Sequence, residues 1–129
     1  MASPYVSGKP KTVVKQLTTA NSNRDGSTGT VVDLVSGTAA GVIITSVRIK
    51  SRDAVSDGMI RFYVYDGTNA RLYDEVPVTA TSPTATTKTF EYAWMPPTPI
   101  TIDGTSARFR GSTEVGEIFD LIITYGDMT

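Results

Sequence analysis

Asp74-Glu75 is the one adjacent pair of carboxylates in the sequence. A glycosidase needs two carboxylates converging on one substrate across about 5 to 10 Å, whereas neighbours on a strand point to opposite faces. The pair therefore reads as a charged strand edge that discourages pairing with other molecules. Asp66-Gly67-Thr68-Asn69 gathers oxygen ligands closely, and Asp53 with Asp57 offers a second set. Calcium chemistry is conceivable at either place, but neither follows the EF-hand spacing. Ordinary turn chemistry is the preferred reading, with no metal site. Phe90, Tyr92 and Trp94 alternate along one run. They are either a stacking platform for sugars or bases or, the preferred reading, core residues of a β-sheet. Arg61, Tyr63 and Tyr65 lie opposite Ile60, Phe62 and Val64 on another run. Arg and Tyr are enriched at interface hot spots, which makes this set a candidate subunit contact.

The absent residue types close more routes than the present ones open. The 129 residues include no Cys and no His. That removes disulfides, thiolate nucleophiles and Cys-type zinc sites. It also removes Ser-His-Asp triads and any side chain that titrates unperturbed near neutrality. Ser and Thr are abundant, but no imidazole is present to activate one, and no Gly-rich motif cradles a phosphate. The expectation is a protein that is not an enzyme and that uses no cofactor.

Around these residues the elements are legible. Thr, Val, Ile, Tyr and Phe recur between 11 Gly and 7 Pro, a spacing that leaves no room for long helices. The run 59–65 stops at Asp66-Gly67, and 71–78 follows, so the two predict a β-hairpin. Pro77 places the second run at a sheet edge. Further strands are predicted over 30–35, 42–50, 87–94, 100–102, 107–110 and 117–125. The run 87–94 is ended by Met95-Pro96-Pro97-Thr98-Pro99. In the last run Phe119, Leu121, Ile123 and Tyr125 face one way and Ile118 and Ile122 the other. This pattern predicts a central strand covered on much of both faces. The fold class read from this spacing is all-β, a single antiparallel β-sandwich of jelly-roll type at 30–129.

Residues 1–29 are different in kind. Over 1–30, Lys9, Lys11, Lys15 and Arg24 face Asp25 alone, while 31–129 carries eight cations against twelve acids. A basic leader precedes an acidic body, and each part could attract the opposite part of a neighbouring copy. The leader is either a polar tail that cannot offset its ordering entropy or an extended N-terminal arm that orders on a partner. The acidic body has no basic stripe interleaved with aromatics, so nucleic acid is not an expected partner. No run of about 18 apolar residues exists and no apolar signal core follows the first residues, so neither a membrane nor export is expected.

The hairpin from Gly58 to Val78, the run 42–49 before it and the ending Phe119-Asp120-Leu121-Ile122-Ile123-Thr124-Tyr125-Gly126-Asp127 together resemble capsid decoration, or cement, proteins of tailed bacteriophages. The resemblance covers about residues 28–127 and rests on strand and turn signals. It implies a homotrimer on the capsid surface that binds the major capsid protein, made in the host cytoplasm, with an N-terminal arm reaching over neighbouring subunits. On that reading Lys9, Lys11, Val13, Val14 and Leu17 are the expected docking residues of the arm. Arg61, Tyr63 and Tyr65 are the expected subunit contacts. The alternatives are a carbohydrate- or receptor-binding β-sandwich, or another virion part such as a tail or head-completion protein.

Overall fold

Among the described residues the alternation of apolar and polar residues is converted into nine strands: β1 Lys9–Leu17, β2 Val32–Ser36, β3 Val42–Ser51, β4 Gly58–Tyr65, β5 Ala70–Val78, β6 Glu91–Trp94, β7 Ile100–Ile102, β8 Arg108–Thr113 and β9 Phe119–Asp127. A computed structural model describes residues 8–128. Two antiparallel sheets pack face to face as a β-sandwich. The first has the order β1-β9-β3-β6, with β7 also on β3, and the second has the order β2-β8-β4-β5. The first strand thus pairs with the last, β2 with β8, β3 with β6 and β7, and β4 with β5.

The local chemistry explains several placements. β5 is an edge strand, and Pro77, which has no N–H to give a ladder, lies on it opposite Met59. β6 and β7 pair with successive stretches of the same strand, Val47–Lys50 and Val42–Ile44 of β3. They form one edge line interrupted at 95–99, where three prolines cannot donate to a ladder. The β4–β5 hairpin closes through Gly67 at φ 100°, with Asp66 Oδ1 accepting the N–H groups of Thr68 and Asn69 at 2.8 and 2.7 Å. That geometry is ordinary turn chemistry, as expected.

Between the sheets lies one core, drawing Val47, Ile49, Leu121 and Ile123 from the first and Ile60, Phe62, Val76 and Phe109 from the second. Each such side chain, fully buried, contributes about 1.5–3 kcal/mol. Trp94 is part of this core: its ring stacks on Phe109 at 5.8 Å and lies 4.4 Å from Phe62, and its Nε1 donates to Asp74 Oδ2 at 2.7 Å. Phe90 packs beside Phe119, but Tyr92 is 47% exposed, so the three aromatics do not share one environment.

Two expectations are corrected here. The leader was expected as an extended arm outside a sandwich beginning at residue 30. Instead Lys9–Leu17 pairs with β9 along its whole length, from Lys9 opposite Asp127 to Leu17 opposite Phe119, and Leu17 is buried in the core. The connecting segment 18–31 then folds over the outside of the second sheet. Asn21 N donates to Thr113 O at 2.8 Å, Tyr63 Oη donates to Asn23 O at 3.0 Å, and Arg110 Nη1 donates to Gly26 O at 3.3 Å. Gly26, at φ 78°, sits so close to Tyr63 that a Cβ there would meet its ring at 2.8 Å. The physical reason is that 18–31 satisfies its polar groups on a polar sheet face, which lowers the desolvation cost of covering it. The part of the leader before Gly8 lies outside the described residues.

The second correction follows from the first. Arg61 and Tyr63, expected at a subunit contact, have no exposed surface. Their own chain covers them. Only Tyr65 of that set keeps partial exposure, and Arg110 lies over its ring at 3.9 Å.

Candidate functional site

With one outer face closed by 18–31, the outer face of the β1-β9-β3-β6 sheet is left uncovered by the described residues. Its surface follows from strand parity. One cross-strand row runs Val14, Ile122, Arg48, Ala93, and the next runs Gln16, Asp120, Lys50, Glu91. Thr12 and Thr124 continue it on one side, and Ile118 extends the β9 column on the other. At about 4.8 Å between strands the four columns span about 15 Å.

The β1–β9 side of this face is apolar. Val14 is 63% exposed, Ile122 40% and Ile118 37%. Met95, 68% exposed, stands where β6 breaks off, beside an apolar pocket of about 200 Å³ lined by Ile43, Ile44, Thr45, Met95 and 96–99. Four of the five exposed large hydrophobic side chains among the described residues therefore lie on or beside one sheet face, the fifth being Tyr92.

The β3–β6 side is charged. Glu91 takes Lys50 at 2.7 Å, Arg48 at 3.3 Å and Lys88 at 3.7 Å. The hydrogen bond from Lys50, followed by the charges of Lys50 and Lys88, holds the Glu91 carboxyl below the ordinary carboxylate range. Asp120 accepts Arg52 Nε at 2.9 Å and Gln16 Nε2 at 2.9 Å, and the Arg52 bond lowers its pKa as well. Both acids are thus fixed as anions, and four cations surround them. The face therefore sets exposed apolar side chains on β1 and β9 beside a hydrogen-bonded charged group on β3 and β6.

Of the expected arm residues, Val14 alone stands on this face by strand parity. It points outward on the apolar side. Val13 packs, partly buried, against the core, and Leu17 is buried within it. Lys11 pairs with Asp127 at 3.0 Å, which raises the Lys11 pKa, and Lys9 is exposed at the start of β1 opposite the same acid.

The other candidate sites resolve into structural chemistry. Asp74 and Glu75 serve opposite faces, Asp74 binding Trp94 and Glu75 accepting Arg61 Nε at 2.9 Å. Arg61 Nη2 also donates to Glu114 Oε2 at 2.6 Å, so one buried guanidinium holds an acid within β5 and one just past the end of β8. Asp57 accepts the N–H of Ala80 at 2.7 Å. Among the described residues no group of three or more His, Cys, Asp or Glu could hold a metal ion. No helix of the described residues is long and apolar enough to cross a membrane.

Sequence reasoning did not single out Arg48, Met95, Ile118 or Ile122. The available signal was the second face of 117–125, whose two isoleucines read equally well as buried. The chain matches no family model, no curated protein and no solved structure.

Proposed function

We propose that this chain is a structural virion protein that decorates a bacteriophage capsid and stabilises it by binding the major capsid protein as a homotrimer. The single observation that carries the reading is the asymmetry of the sandwich. One outer face is covered over Arg61 and Tyr63 by the chain's own segment 18–31, and the other is left open, with exposed Val14, Ile118 and Ile122 beside Arg48, Lys50 and Glu91. Such a surface suits lattice attachment, where many modest contacts add up without any catalytic group. The nested pairing of first strand with last, second with eighth and fourth with fifth supports reading the sandwich as a jelly roll. In this reading the protein turns over no substrate and carries no cofactor, and its partners are proteins instead of nucleic acid or membrane.

The carbohydrate-binding alternative needs exposed aromatic platforms. Trp94 is 2% exposed, and Tyr92 is the one aromatic ring freely exposed among the described residues. The decisive experiment is light scattering on the purified full chain, followed by sedimentation with undecorated capsids. A trimer that co-sediments at saturable stoichiometry supports decoration. A ring of six or more copies moves the assignment to a tail or head-completion part, and a chain that ignores capsids overturns the reading.

A further inference from the structure

We propose that the apolar pocket beside the 95–99 connection is a docking site for residues 1–7 of the same chain, with Tyr5 as the side chain that fills it. These seven residues lie outside the described ones. The inference does not rest on the function proposed above, because the corner of the sheet it concerns is two outward rows away from Val14 and Ile122.

The pocket is built before anything enters it. Its volume is about 200 Å³, and Ile43, Ile44, Met95 and the prolines at 96, 97 and 99 line it. An apolar cavity of about 150 Å³ holds a benzene ring, so the space suits one aromatic side chain. The connection that walls it is tied to the second sheet: Tyr73 Oη donates to Thr98 O at 2.7 Å and accepts the N–H of Thr98 at 3.1 Å. A wall fixed in this way loses little entropy on docking. Met95, 68% exposed, also lines the pocket and is what an occupant would cover.

The path to the pocket selects the occupant. By strand parity the outward row at this corner runs Pro10, Gly126, Ile43, Thr101. Gly126 brings no side chain to that row, which leaves a trough across β9 between Pro10 and Ile43. Two strand spacings, about 10 Å, separate β1 from β3. Gly8, at φ 91°, lets the chain turn off the line of β1. From Gly8 the Cα of Tyr5 can lie up to about 11 Å away, and its side chain covers the remaining reach.

Charge agrees with this path. The sequence Met1-Ala2-Ser3-Pro4-Tyr5-Val6-Ser7 has no charged side chain. Neither has the Gly126 row nor the next one, which is Thr12, Thr124 and Ser46. Covering this corner therefore desolvates no ion. Tyr5 is the one aromatic residue of the segment, and its ring suits the apolar walls while Thr45 and Thr98 offer its hydroxyl partners. A short tether holds Tyr5 at an effective concentration on the order of millimolar, which favours the same chain over a second copy.

The absence of Cys makes the test clean, because an engineered pair is then the only one present. Tyr5→Cys with Thr45→Cys is oxidised in dilute solution and followed by intact mass and non-reducing electrophoresis, with Tyr5→Cys and Arg71→Cys as the control pair. The expected result is a disulfide within one chain that forms roughly tenfold or more faster than in the control. A disulfide between chains would put the occupant in a second copy, and equal rates would leave the pocket without this occupant; either overturns the inference. The second readout needs no cysteine. The Tyr5 ring is expected to shift the Met95 methyl resonance upfield, and Tyr5→Leu is expected to abolish that shift while thermal unfolding stays cooperative. A Met95 methyl at the same position in both chains overturns the inference as well. Neither readout depends on capsids.

Discussion

Arg61 is the most deeply buried charge among the described residues, with a side chain 1% exposed between Glu75 and Glu114, which are 33% and 37% exposed. Because both acids keep access to water, removing the guanidinium strands no buried anion, and lost packing becomes the larger cost. Arg61 Nη1 has no hydrogen-bond partner, which further reduces what the charge contributes. Arg61→Ala is expected to cost about 2–4 kcal/mol and Arg61→Met less than half of that. Urea denaturation of both variants checks the ranking, and equal losses would show that the ion pairs dominate. Asp25 supplies a pH test. The Thr28 hydroxyl, then the Thr28 and Ser27 N–H groups, lower its pKa from 3.8 to about 2. A depressed carboxylate stabilises above its unfolded pKa and loses that contribution as pH falls through its folded value. The turn at 25–28 is therefore expected to stay closed at pH 4 and above and to open as pH approaches about 2. Amide NMR shifts of Ser27 and Thr28 would follow it, and a midpoint near 4 would contradict these bonds.

At the scale of elements, β1 behaves as a structural strand and not as an appendage. It covers the edge of β9, whose Phe119, Leu121 and Ile123 are fully buried. Leu17→Ala is expected to cost about 2–5 kcal/mol, as other buried leucines do, and Val13→Ala distinctly less. Removing residues 1–29 takes away both β1 and the cover over Tyr63, so the truncated chain is expected to lose cooperative thermal unfolding. A sharp transition at the wild-type temperature would contradict this placement. The sequence made the hairpin, the Pro77 edge and the stop at 95–99 legible because turns and prolines act within a few residues. It left the fate of 1–29 undecided because Val13, Val14 and Leu17 are apolar enough to dock but do not say onto what.

At the scale of the whole molecule, the proposed function puts stability and assembly on opposite sides of the sandwich. Substitutions on the open face are therefore expected to separate the two properties. Ile122→Thr removes apolar area at a side chain 40% exposed, keeps β-branching, and is expected to change folding stability by no more than about 0.5 kcal/mol. Its effect is expected in self-association and capsid binding, read by light scattering beside a denaturation curve. A large loss of stability with unchanged association would place the residue in the core and not on a docking face. Part of this site was legible: the alternation in 117–125 separates Ile118 and Ile122 from Phe119, Leu121 and Ile123. The exposure of that second face was not legible, because a central strand is commonly covered on both sides.

The sequence by itself determined the all-β class, the β4–β5 hairpin, the break between β6 and β7 and the two faces of β9, since period-2 alternation and proline are local constraints on the backbone, whereas the register shift between Ile44 and Ser46, which puts Ile44 instead of Thr45 on the buried side of β3, was not legible. Only the tertiary structure decided which side of each sheet is covered. Arg61 and Tyr63 are polar and buried, while Val14, Ile118 and Ile122 are apolar and exposed, the reverse of what side-chain chemistry alone favours. The reason is that segment 18–31, remote in sequence from β4, finds hydrogen-bond partners on one sheet, and no described segment covers the outer face of the other.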